Sequence, residues 1–324
     1  TNVQVEALDE PDRVKTDGAN FYYAPGPRRY HPRPVDGDFP DGGPVQPPEP
    51  PSDTQVIDVG EPADPQAVAE IDATGQLLQD GDRVVVLGDE EVRGYDVSDP
   101  ANPTFVSRVG DYSRDELDDF GQSEYVEPGG NDHYVTVNED ATLMAEGGES
   151  WDLEKGDDTG GPSGITLFDN SDKASPERLA HIDPPSTDDH TYSDGSTWTT
   201  SHNFDVRGDR LYASWYQGGV SVHDVSDPAN PERIAWWADA DDMAFWTAQL
   251  AVPGEFFVAS SHAGAGMSGN VRGGLLTFPD AAGEMASLPS AVAWTEAELE
   301  RAAELAETKY RDPAWVRTRP GSDG

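Results

Sequence analysis

The chain has 324 residues, enough for a full core in one large all-β domain or two smaller ones. Its 63 acidic residues against 21 basic, a formal net charge of -42, argue against nucleic acid as a direct partner, because phosphate contacts need a Lys/Arg-rich surface and acids outnumber bases three to one. The absence of Cys excludes disulfides, thiolate catalysis and Cys-based zinc sites.

The acids are spread along the whole chain, and only four of the basic residues are Lys. That pattern predicts a protein of concentrated brine, where a Debye length of about 3 Å or less screens the self-repulsion of such a surface. No run of about 18 apolar residues is present, so no membrane span is expected. The chain opens on Thr1 without a leader-like segment, which predicts a processed or trimmed protein with no signal peptide of its own.

In chain order, the first unit reads RVKTDGANFYYAPG from Arg13, then TQVIDVGEPADPQAVAEI from Thr54, split by a Pro/Gly-rich insertion over 27–53 that reads as an exposed loop. QLLQDGDRVVVLGDEEVRGYDVSDPANPTFVSRVG (76–110) is a second unit. HYVTVNEDATLMAEGG (133–148) with GITLFDNSDKASPERLAHI (164–182) is a third, carrying an acidic, Gly-rich insertion over 149–163. The fourth runs from Ser201 to Trp237 and parses as strands at 203–206, 211–215, 220–224 and 233–237 around Gly and Asp turns. TAQLAVPGEFFVASSHAG (247–264) with GGLLTFPDAAG (273–283) is a degenerate fifth. Beyond 290, Thr295 as N-cap and EAELERAAELAET predict a short C-terminal helix.

One phrase marks the units: GYDVSDPANP from Gly94, VHDVSDPANP from Val222, and the echoes VIDVGEPADP from Val56 and LFDNSDKASP from Leu167. In each, an apolar strand meets an Asp that caps a turn and a Pro that ends it. Four-stranded antiparallel meanders at such a repeat are the blades of a β-propeller. The expected fold is therefore all-β: a propeller over 1–290 with about five recognisable repeats, followed by helix and tail over 291–324. Val3 to Val5 is expected to supply an outer strand to the last blade.

These blades resemble the LVIVD-repeat family of prokaryotic surface β-propellers in its haloarchaeal form, through the DVSDPANP turns, SHNFDVRGDRLYASWYQGGV and the FWTAQ and FFVAS stretches. The resemblance covers about 75–285. The opening, TNVQVEALDEPDRVKTDGANFYYA, is similar to that of a secreted archaeal β-propeller domain family. What the likeness implies is a surface-exposed or exported propeller. It brings no established reaction, substrate or catalytic residue.

Stacking the repeats puts Asp132-His133-Tyr134, Ser201-His202-Asn203 and Thr247-Ala248-Gln249 at the heads of the first strands, which in a propeller line the central channel. Matched histidines on adjacent blades, His133 and His202, suit a borderline divalent metal or a polar ligand. Alternatively, each ring hydrogen-bonds the next blade's backbone and fixes its register. Trp215, Tyr216, Trp246, Trp236-Trp237 and Trp151 (beside Glu149) are either a stacking rim or wedges between blades. Candidate ligand-binding residues are thus His133, Tyr134, His202, Asn203, Trp215, Trp246, Thr247 and Gln249, with His133 and His202 as candidate metal ligands.

The acidic clusters at Asp36/Asp38/Asp41, Asp169/Asp172 and Asp239/Asp241/Asp242 do not complete a calcium-loop spacing and read as solvated surface. No nucleophile elbow, phosphate loop or dinucleotide fingerprint is present, and no catalytic residue is assigned. The sequence reads as a non-enzymatic, exported or cell-surface propeller that binds an unknown protein or small ligand at the channel mouth, with no resident cofactor. The alternative is a metal-binding or metal-dependent propeller centred on His133 and His202.

Overall fold

The computed structural model describes residues 13–25, 53–88, 91–110, 132–151, 161–187, 191, 197–261 and 273–280. These form nineteen strands in five sheets, all antiparallel, with no helix among the described residues. The expected C-terminal helix, the outer strand at Val3 to Val5, nearly all of the 27–53 insertion and the Asp36 cluster lie outside the described residues.

Each repeat folds as a meander. β1 (Val14–Thr16), β2 (Asn20–Tyr23), β3 (Thr54–Asp58) and β4 (Gln66–Ile71) make the first sheet, so the long insertion falls between its second and third strands. β5 (Gln76–Asp80) to β8 (Thr104–Val109), through β6 (Arg83–Gly88) and β7 (Glu91–Asp96), make the second. The third is β9 (Asp132–Val137), β10 (Leu143–Gly148), β11 (Ile165–Asp169) and β12 (Glu177–Ile182). The fourth is β13 (Phe204–Arg207), β14 (Arg210–Ser214), β15 (Val220–Asp224) and β16 (Glu232–Trp237). The fifth has three described strands, β17 (Phe245–Val252), β18 (Phe256–Ser261) and β19 (Gly274–Pro279).

The repeated phrase does the local job its chemistry implies. Asp96 and Asp224 accept the backbone N–H groups of Ser98 (2.8 Å) and Ser226 (2.9 Å), while Asp99 and Asp227 each take the side-chain amide of Asn102 or Asn230. Asp169 and Asp172 repeat the motif on Ser171 and Ala174, so that acidic cluster is a pair of turn caps. These bonds hold the Asp96, Asp169 and Asp224 carboxyls below the usual aspartate range.

Sheets pack in chain order, and the first strands are innermost: β5 lies against β1, β9 against β6, β13 against β9, and β17 against β13 and β14. Fourth strands are outermost, and in each of them most side chains are exposed or half-buried. Middle strands such as β10 and β14 are buried on both faces, because each sheet is sandwiched between its neighbours. Apolar side chains fill those gaps: Tyr22, Val56, Leu77 and Val84 between the first two sheets, Val85, Val135 and Met144 between the next, and Leu167, Phe204, Leu211 and Trp215 between third and fourth. This is the blade arrangement of a β-propeller.

Two arginines at one register latch neighbouring sheets. Arg83, paired with Asp96, reaches Asn170 (3.0 Å) and the Lys173 carbonyl (3.2 Å) of the third sheet. Arg210, paired with Asp224, binds the Asp280 carboxylate after β19, which also accepts Tyr212 Oη at 2.8 Å and the Gly254 N–H at 2.7 Å.

Candidate functional site

The inner end of the third, fourth and fifth sheets is where the sequence-predicted residues meet. In β9 the ladder pairs Gly147 with Tyr134 and Gly148 with Asp132, skipping His133. His133 is therefore the extra residue of a β-bulge, a device that re-aims one side chain out of the pleat. In β17 the pairing runs from Phe245 with Ser261 to Thr247 with Ser260, so Trp246 is skipped in the same way. His202 stands just before β13, its N–H bonded to the Ser214 carbonyl. Three first strands thus present His133, His202 and Trp246 at one place.

Their geometry is specific. His202 Nδ1 lies 2.7 Å from the Trp246 carbonyl oxygen. A carbonyl only accepts, so Nδ1 carries a proton, and in the neutral imidazole Nε2 is then the lone pair. His133 Nδ1 lies 3.1 Å from Glu149 Oε2, and the carboxylate likewise accepts a hydrogen bond from its N–H. The two Nε2 atoms then face each other at 3.2 Å. Tyr216 Oη donates to the other Glu149 oxygen, Oε1, which is 3.9 Å from His202 Nε2. His133, Glu149 and His202 each offer a metal-ligating atom, all within 4.8 Å of one another. The His202 side chain is 2% exposed, Glu149 15% and His133 29%, so the cluster opens to solvent on the His133 side.

Aromatic rings wall the cluster. Trp246 lies on the His202 ring with centroids 3.9 Å apart, and Tyr216 meets it edge-on at 5.2 Å. Trp198 and Trp151 pack edge-on behind Tyr216. Tyr216 has φ 49°, the left-handed region that costs a non-glycine residue about 1 kcal/mol or more. Reciprocal backbone bonds with Phe245, 2.8 and 3.1 Å, hold it there and aim its hydroxyl at Glu149.

Not every candidate shares this place. Tyr134 packs edge-on against Phe204 inside the apolar cluster between third and fourth sheets. Trp215 is 1% exposed in that cluster, its indole N–H spent on Ser221 Oγ. Both are wedges in the core. Asn203 and Thr247 bridge the heads of β13 and β17 through backbone, so they align the strands that carry the site. Gln249 pairs with Val258 deeper in the sheet; Trp246, three residues earlier, occupies the matched position. Trp236 is exposed and Trp237 packs on Phe245 and Phe278, opposite faces of one strand.

Glu149, Tyr216 and Trp198 were not among the candidate ligand-binding residues. A signal for the first two exists: each lies six residues past the partner of the repeat's aspartate, Leu143 opposite Asp169 and Arg210 opposite Asp224.

Fold and site together define a β-propeller with a histidine pair at the inner end of adjacent blades. The family model for the Beta propeller domain matches residues 1–114. Over 95 residues the chain is 35% identical to an uncharacterized protein of Archaeoglobus fulgidus, a stretch that covers 29% of this chain and 14% of that protein. Among solved structures it is similar to the N-terminal domain of Nup159, at 10% identity and TM-score 0.45, covering 86% of this chain and 59% of that one. Saccharomyces cerevisiae Sqt1 is similar at 8% identity and TM-score 0.46, with 84% and 59% covered. Apo AztD from Citrobacter koseri is similar at 10% identity and TM-score 0.39, again with 84% and 59% covered. The chain spans less than two thirds of the length of each of these proteins. No helix among the described residues is long and apolar enough to cross a membrane.

Proposed function

We propose that the chain is a non-enzymatic binding propeller, of the LVIVD-repeat kind and from an extreme halophile, exported or held at the cell surface. Its ligand at the channel mouth is a divalent cation of the imidazole-seeking class, zinc or copper, taken by His133 and His202. One observation carries the reading: two Nε2 atoms face each other at 3.2 Å while both Nδ1 atoms are committed elsewhere. In the neutral rings both are acceptors, which repel at that distance, and a cation between them removes the repulsion. Tetrahedral zinc with nitrogens about 2.0–2.1 Å away would hold two ligands about 3.3 Å apart. Each ring also has the outer partner that metal-bound imidazoles use, a carbonyl for His202 and a carboxylate for His133. The main competing occupant is a single shared proton, which would make the pair an imidazole–imidazolium bond.

The test is zinc or copper binding by the dialysed protein in molar potassium chloride with excess magnesium, conditions that suppress loose binding to the acidic surface. One equivalent is expected by elemental analysis and calorimetry. It should be lost in His133→Gln, whose partly exposed position spares the fold, as circular dichroism would confirm. No bound equivalent, or an unchanged one in His133→Gln, would overturn the reading. Turnover of esters, lactones or phosphates by the loaded protein would replace it with the metal-enzyme alternative.

A further inference from the structure

We infer that Glu149 stands outside the coordination sphere as a positioning residue, and that the cation keeps open positions for an external anionic donor. The inference rests on the metal reading above and adds its ligand class.

Both Glu149 oxygens are already engaged: Oε2 by His133 Nδ1 at 3.1 Å, Oε1 by the Tyr216 hydroxyl. Moving the carboxylate inward to a cation would give up the bond that sets the His133 tautomer, and with it the Nε2 lone pair that makes His133 a ligand. The arrangement is therefore carboxylate–histidine–metal, with Tyr216 holding the carboxylate from behind. Tyr216 is itself fixed by its two backbone bonds to Phe245, so the relay is anchored in the fifth sheet.

Among the described residues that leaves two imidazoles as inner protein ligands, fewer than the three that zinc sites with an exchangeable position commonly have. The other described residues around it are aromatic: Trp246 on the face of His202, Tyr216 at its edge, and Trp151 behind Tyr216. Among the described residues, His133, Glu149 and His202 are the one group of three acidic or imidazole side chains close enough to share an ion. A divalent cation on two neutral nitrogens keeps its full charge, offset by one carboxylate beyond them. The chemistry that completes such a site is a small monodentate anion, such as a carboxylate. Loaded, the propeller would bind such anions, although the chain as a whole carries a net charge of -42.

The experiment uses the whole chain loaded with cobalt(II), whose visible bands report coordination, in a perchlorate medium that coordinates weakly. Acetate and azide should each shift the cobalt bands saturably. Glu149→Gln should still take one equivalent with the same band pattern but ~10–100-fold more weakly, as expected for loss of an outer partner. Tyr216→Phe should weaken cobalt in the same sense without altering the bands. Two results overturn the inference while leaving the metal reading standing: one bound equivalent whose bands ignore both anions, or bands in Glu149→Gln displaced as for a lost inner carboxylate. Failure of cobalt, zinc and copper alike to bind overturns both.

Discussion

His223 gives the sharpest physical prediction, because it sets a measurable slope of stability against pH. It sits in β15, 5% exposed, with Nε2 2.9 Å from Ser221 Oγ, which in turn accepts the Trp215 indole N–H. Burial, and then the nearby Arg233 charge, push its pKa down from 6.5 to about 4. The folded protein therefore keeps His223 neutral while the unfolded chain takes up a proton below 6.5. Stability from this group is complete above the unfolded value and is lost as pH falls toward about 4. At 1.36 kcal/mol per pKa unit, the full loss amounts to about 3 kcal/mol. Denaturant unfolding in constant molar salt, from neutral pH down to just above the aspartate range, measures it. His223→Gln keeps a polar group for Ser221 and does not titrate there, so the wild-type slope should exceed the variant's by about 1 kcal/mol per pH unit. Parallel slopes would refute the argument, since a histidine that protonates in the folded state adds no such difference.

Two further perturbations test how the sheets are joined. Asp280→Ala strands the Arg210 guanidinium, the Tyr212 hydroxyl and the Gly254 N–H, and should cost about 3 kcal/mol. Burial alone would raise the Asp280 pKa, but those three partners outweigh it and hold it low; its contribution is thus present above pH 3.8 and lost as pH falls below, an acid limb that Asp280→Asn should remove. Gly219 (φ +92°) and Gly18 (φ +94°) share a backbone conformation, yet a Cβ on Gly219 would lie 2.0 Å from the Trp237 carbonyl oxygen while one on Gly18 meets nothing within 4 Å. Gly18→Ala should therefore lose only about 1 kcal/mol, and Gly219→Ala at least about 2 kcal/mol more, as read from melting curves. Equal losses would show that the close approach to Trp237 is absent.

What the sequence disclosed follows from which interactions are local. The DVSDPANP turns were legible because the Asp caps, the Asn amide and the Pro act within a few residues of one another. Strand bounds in the fourth sheet follow those turns, with β15 at 220–224 as expected and every other bound within one residue. The histidine pair was visible as a matched position on adjacent repeats. The bulges were not, since skipping one residue leaves no compositional mark, and so Gln249 was aligned where Trp246 belongs. In the sequence Tyr134 reads as a ligand candidate, and Trp215 as rim or wedge, because successive residues of a strand alternate between faces and which face meets the core is decided by the next sheet. Glu149 and Tyr216 share a repeat position, but that the two meet, 67 residues apart, only the fold shows.

The two explanations of the histidines, register pin and ligand, call on different nitrogens. His202 Nδ1 does what a register pin does: it ties the fourth sheet to the Trp246 carbonyl at the head of β17, beside the backbone bond from Asn203. Its Nε2 faces the His133 ring at 3.2 Å. A residue kept only for register would be as well satisfied by any buried donor to that carbonyl, and would have no need of a second imidazole against its far side. His133 makes the same point from the other strand, since its ring is skipped by the ladder and bonded to a side chain. Replacing His202 should therefore damage both sheet packing and cation binding, whereas His133→Gln should leave the fold near its original stability and remove the cation alone.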